Sequence, residues 1–448
     1  MANTYLTKTF SSGGNQRIWT LSFWVKLNRG TGEDNYILTY AQGSGATPRG
    51  SMEFRSDANG NTFRVGFNPT GSSWINCDVD NRKFRDYSAF YHVVVAVDTT
   101  QLTASNRVKI YINGEQQTVS TQPSQNFDTG FNHTHQTSFG RYENADSSYF
   151  DGVLSHIHFI DGTQYPASSF GSTDSTTGEW KINTSPSVTY GSNGYFILKD
   201  GNSVTDQSGN SNNFTVGGGT LTNTEDCPSN VFATLNPLYQ QTTGEGVVLS
   251  YGNTKGYYAS NASRSCFGTI APSSGKYYYE CKIPAGTGTV VVGIVNMAWS
   301  GLNGAAGAYH DNALNFGYNV SGQITSGGSN TAYGSAISDG DILGCAMDLD
   351  NGKLYFSLNG SWQGSGDPTS GSTGTGSAFN LASGANYTAA CRLRNGTICE
   401  FNFGNGYYGT TAVTTNSGNG YAGAEGASKF SYSVPSGFSA LNTKGLNL

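Results

Sequence analysis

Four aromatic residues sit in or beside runs of Gly, Ser and Asn: Trp74, Tyr142, Trp299 and Trp362. Rings held in such loops are a means of binding sugars. The apolar ring face packs on the C–H face of the sugar, and neighbouring amides and carboxylates take its hydroxyls. The same rings could instead plug the end of a β-sandwich. Trp299, in the run Asn296-Met297-Ala298-Trp299-Ser300-Gly301, follows a strand pattern and precedes a loop, and is expected to be the most exposed of the four. These four are the candidate ligand-binding residues.

Other constellations carry less chemistry. Glycoside cleavage with retention needs two carboxyl groups about 5–5.5 Å apart. No Glu-x-Asp-x-(x)-Glu string, which would project such a pair from one strand, occurs in the chain. Asp348 and Asp350 share a strand face but lead into the turn at Asn351-Gly352, so turn hydrogen bonding is expected of them. His133/His135 and His156/His158 are each spaced to share a sheet face, yet no motif supplies a third zinc ligand. Asp78, Asp80 and Asp86 read as loop carboxylates that calcium could use, without EF-hand spacing. There is no G-x-S-x-G elbow and no phosphate-binding G-x-x-x-x-G-K-[ST] loop. Seven cysteines, odd in number and without a CxxC pair, read as buried thiols made in a reducing compartment. No catalytic residue, metal or cofactor is expected; of the metals, calcium is the more plausible candidate.

The elements that position these residues are strands. Of 448 residues, 61 are glycine, about twice the usual ~7 %. Charged residues make up 12 % and aromatics 13 %, which excludes a disordered chain and a long helical bundle. The net charge of −6 gives no basic footprint for nucleic acid, and no run of 18 apolar residues spans a membrane. The first ten residues are polar and lack a secretory apolar core. Ile18 to Lys26 alternates, with Trp19, Leu21, Phe23 and Val25 on one face. Phe90 to Val97 is apolar on both faces, as in a strand covered on both sides. Val108, Ile110 and Ile112 lead into Asn113-Gly114, and Leu354, Phe356 and Leu358 lead in the same register into Asn359-Gly360. Both are hairpin signals of the type I′ turn, and they suggest one supersecondary unit used twice. The expected fold is all-β, with two tandem antiparallel β-sandwiches. The expected boundaries are a first domain over 1–225, a linker over 226–245, a second domain over 246–405, and a Gly-rich segment and anchoring tail over 406–448.

Two resemblances add to this. The string Gly340-Asp341-Ile342-Leu343-Gly344-Cys345, Asp348, Gly352-Lys353-Leu354-Tyr355-Phe356 and Asn359-Gly360 resembles a SPRY domain, over roughly 245–405. Trp19, Phe23, Trp24, Tyr91 to Val97, Asn113-Gly114 and Phe150-Asp151-Gly152 through Gly162 resemble concanavalin A-like (laminin-G-like) jelly rolls, over about 1–220. With the connecting run Cys227 to Pro237 and the tail Pro435-Ser436-Gly437-Phe438, the order of parts resembles virion proteins of marine tailed bacteriophages. The resemblance implies a non-enzymatic virion protein, made in the host cytoplasm: a tail-fibre or spike part, or a head-fibre or decoration part. Its lectin-like modules would meet a host-surface glycan or protein and its other partners would be virion proteins, with no nucleic acid and no membrane insertion. Copies of the chain could pair through sandwich faces. A structural capsid or tail cement, and a glycan-degrading depolymerase, are the alternative readings.

Overall fold

The computed structural model describes residues 3–27, 34–41, 48–56, 61–142, 147–199, 203–241, 246–285, 290–299, 312–414 and 422–447. Among them there are strands and short 3-10 turns and no α-helix. The chain divides into two compact units, Met1–Asn223 and Thr224–Leu448.

The first unit holds β1 (Tyr5–Lys8), β2 (Ile18–Leu27), β3 (Asn35–Ala41), β4 (Arg49–Arg55), β5 (Asn61–Asn68), β6 (Ile75–Phe84), β7 (Tyr91–Asp98) and β8 (Val108–Ile112). There follow β9 (Glu115–Gln116), β10 (Gln136–Phe139), β11 (Gly152–Asp161), β12 (Gly171–Thr173), β13 (Trp180–Ile182), β14 (Tyr195–Ile197) and β15 (Thr215–Gly218). One sheet runs β15-β1-β10-β3-β4-β5-β6 and the other β14-β11-β2-β7-β8-β9. All strand pairs in both are antiparallel. The alternation read in β2 builds the core between them: Trp19, Leu21, Phe23 and Val25 bury against Phe54, Phe63, Val65 and Phe67 of the facing sheet. Period-2 side-chain placement makes this inevitable once one face is committed. The other face of the second sheet is also covered. Val94 and Ala96 of β7 pack with Ala167, Phe170, Trp180 and Tyr190 of the segment that crosses behind it. The Asn113-Gly114 turn has φ of 49° and 83°, and Asn359-Gly360 has 47° and 80°, the paired left-handed values a type I′ turn needs.

The second unit is a second sandwich. One sheet is built around the strands Val291–Asn296 and Tyr387–Leu393, the other around Lys276–Lys282, Ile342–Asp348 and Lys353–Leu358. Their inner faces share one core that includes Tyr279, Cys281, Ile294, Cys345, Phe356, Cys391 and Phe401.

The stretch 226–245 is not a free linker in its described part. Phe232 is fully buried, and Leu235–Gln240 is a strand pairing with Arg264–Gly268. The apolar run Val231-Phe232-Ala233 and Leu235 explains this, because it has two faces to bury. Its end meets the tail: Ala233 N–H donates to Leu441 O at 2.8 Å, and Thr443 N–H to Val231 O at 3.0 Å. The tail covers the outer face of the larger sheet, where Phe430, Phe438 and Ala440 pack on Tyr278, Ala346 and Tyr355. It is pinned by the fully buried Glu280. That carboxylate accepts from Tyr408 Oη at 2.5 Å, from the Ser431 and Tyr432 N–H groups at 2.9 Å each, and from Asn402 and Tyr278.

Candidate functional site

The site begins with the alternation of β4. Met52 and Phe54 point into the core, so Ser51, Glu53 and Arg55 point outward. On β5, Phe63, Val65 and Phe67 point in, leaving Arg64 and Gly66 outside. On β6, Cys77 and Val79 point in, leaving Asn76 and Asp78. Antiparallel register then sets Tyr36 opposite Glu53, Glu53 opposite Arg64, and Arg64 opposite Asp78, a polar row across four strands.

Aromatic residues wall this row. Tyr142, which follows β10, stacks on Tyr36 with centroids 4.7 Å apart. On the other side the Trp74 ring lies over Gly66. A Cβ at position 66 would come within 2.8 Å of that ring, so only glycine admits it. The Arg49 guanidinium stands 5.5 Å from the Trp74 centroid. Tyr36, Ser51, Glu53, Arg64, Trp74 and Tyr142, with Asp34, Arg55 and Asn76, line a cleft of about 230 Å³.

The electrostatics are uneven. Arg64 holds Asp78 with two hydrogen bonds, Nε to Oδ1 at 2.6 Å and Nη2 to Oδ2 at 3.1 Å. Glu53 has no such partner. It is 4 % exposed, and its Oε2 is buried with no hydrogen bond. Burial pushes its carboxyl up to about 7, with Asp34 adding to the rise, against the pull of the Ser51 hydrogen bond and of Arg64 and Arg55. Tyr36 is raised too, by burial first and then by Glu53 and Asp34. Rings with polar side chains between them are the lining that small-molecule sites share.

Of the four aromatic candidates, Trp74 and Tyr142 come together in this cleft and the other two lie in the second unit. Trp299 is not the exposed ring expected. It is 9 % exposed and packs on Phe267, Val291, Val295 and Ala390, because its large apolar ring finds an apolar sheet face to cover. Trp362 is half-buried against the cluster of Phe232, Tyr278 and Phe430. Asp34, Tyr36, Glu53, Arg55 and Arg64 were not singled out from the sequence. Their one signal is the polar alternation Ser51-x-Glu53-x-Arg55 in an otherwise apolar strand.

The remaining constellations have structural partners. Asp78 and Asp80 lie on strand β6 rather than in a loop, and Asp78 is tied to Arg64. Asp86 Oδ1 accepts from Ser88 N–H and Oγ–H, which closes a local turn. Asp348 accepts from the Asn351 backbone and side chain, and Asp350 from Gly275 N–H. His133 and His135 stack at 4.1 Å, while His158 bonds Tyr190 Oη and His156 bonds Ser155 Oγ. No group of three His, Cys, Asp or Glu side chains suited to a metal occurs among the described residues. The seven cysteines are free thiols, six of them buried. Ser22 and His92, on the neighbouring strands β2 and β7, are 2.9 Å apart and look like a nucleophile and base. Trp180 Nε1–H donates to His92 Nδ1 at 2.9 Å, so the ring proton sits on Nε2 and points at Ser22. Burial also pushes His92 down to about 3. The imidazole therefore donates to the hydroxyl and cannot take its proton.

Comparison with known proteins agrees with this architecture. Residues 3–168 match the concanavalin A-like lectin/glucanases superfamily, and residues 276–406 match the SPRY domain. Among solved structures, the SPRY domain of human HERC1 is 15 % identical, covering 37 % of this chain and 96 % of its own, with a TM-score of 0.29. A SAP-like pentraxin from Limulus polyphemus is 14 % identical, covering 36 % of this chain and 71 % of its own, with a TM-score of 0.28. A search of the curated proteins finds no match. The first sandwich is thus similar to the concanavalin A-like lectin/glucanases superfamily and the second to the SPRY domain.

Proposed function

We propose that the chain is a non-enzymatic bacteriophage virion protein, a tail-fibre or spike part or a head-fibre or decoration part, that attaches to host-surface glycan through the cleft of its first sandwich. The observation that carries the glycan reading is the cleft that the Trp74 ring and the Tyr36–Tyr142 stack line together with polar side chains. The virion setting is supported by the order of domains and tail. The mechanism is rigid display: two stiff sandwiches hold their recognition groups in place, so little ordering entropy is lost on contact. Weak single sites suffice, because many copies on one particle raise avidity by ~10²–10⁴.

The test displays the full chain on beads over a microbial glycan array, before and after periodate oxidation. Retention that periodate and Trp74→Ala both abolish supports the reading. No retention, even with multivalent display, refutes it and leaves the cement role. A depolymerase is favoured by one observation, that Asp34 and the near-neutral Glu53 line the same cleft. Release of reducing ends from host polysaccharide would establish that reading instead.

A further inference from the structure

The cleft offers a ligand more hydrogen-bond donors than acceptors. Most carboxylate oxygens around it are engaged or out of reach. Glu53 Oε2 is shielded, and burial, which pushes that carboxyl up to about 7, keeps most of it protonated at pH 6. Asp78 is held by Nε and Nη2 of Arg64. Asp34 Oδ1 accepts from Ser56 N–H at 3.1 Å, which leaves its Oδ2. The donors are in the opposite condition. Arg55, half-buried at the end of β4, makes no ion pair or hydrogen bond among the described residues. The Tyr36 and Tyr142 hydroxyls, Trp74 Nε1 and the Asn76 amide are likewise without a partner among them, and none of these atoms is shielded as Glu53 Oε2 is. Asn35 stands opposite Phe54, so the same register sets Asp34 beside Arg55, on the outward face with Tyr36 and Glu53.

We propose that the cleft takes an acidic sugar, with the sugar's carboxylate or sulfate on the Arg55 guanidinium and a neighbouring ring hydroxyl on Asp34 Oδ2. The inference rests on the glycan reading above and names its ligand class. An oxyanion only accepts hydrogen bonds, and so complements a surplus of donors. A guanidinium gives it two parallel N–H groups, and such charge-assisted pairs are about twice as strong as neutral ones. The rings of Trp74 and Tyr142 take the apolar face of the same sugar. An amino sugar would find Asp34 Oδ2 but would also meet the like charges of Arg55 and Arg64. The whole chain carries a net charge of −6 and does not attract anions in general, so retention of an acidic sugar requires a local site.

The experiment displays the full chain on beads at pH 6 and titrates them with polyacrylamide carrying β-glucuronate, galactose 6-sulfate, β-glucose, β-galactose or glucosamine. At least one acidic conjugate is expected to bind at least about tenfold more tightly than the neutral and amino conjugates. Raising sodium chloride from about 50 to about 500 mM is expected to weaken the acidic conjugate at least threefold and the neutral ones hardly at all. Arg55→Met removes the charge at similar side-chain length and is expected to weaken the acidic conjugate about tenfold. Its melting temperature should match the parent's, since Arg55 has no partner to lose. Neutral or amino conjugates that bind as tightly as the acidic ones overturn the inference and leave the glycan reading standing. Acidic binding that salt or Arg55→Met leaves intact overturns it too. If no conjugate binds, the glycan reading itself fails and the inference with it.

Discussion

Replacing Glu53 by Gln is predicted to make the first sandwich more stable at alkaline pH. An ordinary glutamate titrates near 4.5 and Glu53 is pushed up to about 7 by burial. A carboxyl raised in the folded state contributes fully below the unfolded value, and its contribution is lost as pH rises through the folded one. At about 1.4 kcal/mol per pH unit, keeping this carboxylate ionised at pH 8 costs ~3 kcal/mol, and at pH 5 less than ~1 kcal/mol. Glutamine has nearly the same shape and keeps a group for Ser51 to bond, so most of that cost is relieved. Allowing ~1 kcal/mol for the altered hydrogen bond, the variant gains ~2 kcal/mol at pH 8. For a unit of this size that is a rise in melting temperature of about 4–8 °C, with little change at pH 5. Scanning calorimetry of both proteins at the two pH values reads it directly. Taking the difference between them cancels other titrations, His92 among them. Equal destabilisation of the variant at both pH values would show that Glu53 has a structural partner, and would refute the argument from its orphaned oxygen.

Three further outcomes follow from the packing. Trp180→Phe removes the donor to His92 Nδ1 and leaves a buried acceptor unpaired, so the first sandwich should lose ~1–3 kcal/mol in urea unfolding. The same variant should free His92 to change tautomer, which nitrogen chemical shifts would report. Trp299→Ala should lower the stability of the second unit by ~3–5 kcal/mol and leave sugar binding unchanged, because the ring is packed against Phe267 and Val295. Removal of residues 430–448 should lower the melting temperature of the second unit by at least about 5 °C, since it uncovers Tyr278 and Tyr355 and takes two N–H donors from Glu280. An unchanged melt would mean that the tail is not an anchor.

Much of the fold was legible because it rests on local rules. The alternation of β2, the doubly apolar β7 and the two Asn-Gly turns each follow from period-2 geometry or from the residues that tolerate positive φ. The cleft was half legible. Trp74 and Tyr142 stand out as aromatics among small polar residues. Tyr36, Glu53 and Arg64 do not, because their adjacency is set by cross-strand register, and their spacings along the chain follow no motif. Glu53 reads as an ordinary outward glutamate until the rings that bury it are in place. Trp299 misled for the opposite reason. Its loop neighbours suggested exposure, while its partners Phe267 and Val295 lie on two other segments. The run after Cys227 looked like a connector, since Asn and Pro hid the apolar pair Phe232 and Leu235.

Two distant stretches of the second unit meet where Val231 and Ala233 hydrogen-bond to Thr443 and Leu441. Residues 231–233 and 441–443 therefore lie side by side. A fold with this property behaves as a cassette: it can be spliced into a surface loop of another protein without stretching the host on either side. Recombination that moves 224–448 as a block would carry the whole sheet cover with it, whereas a crossover between 408 and 431 would separate Glu280 from its Ser431 and Tyr432 donors. Exchange between related genes should accordingly fall at the edges of this block and spare its last forty residues.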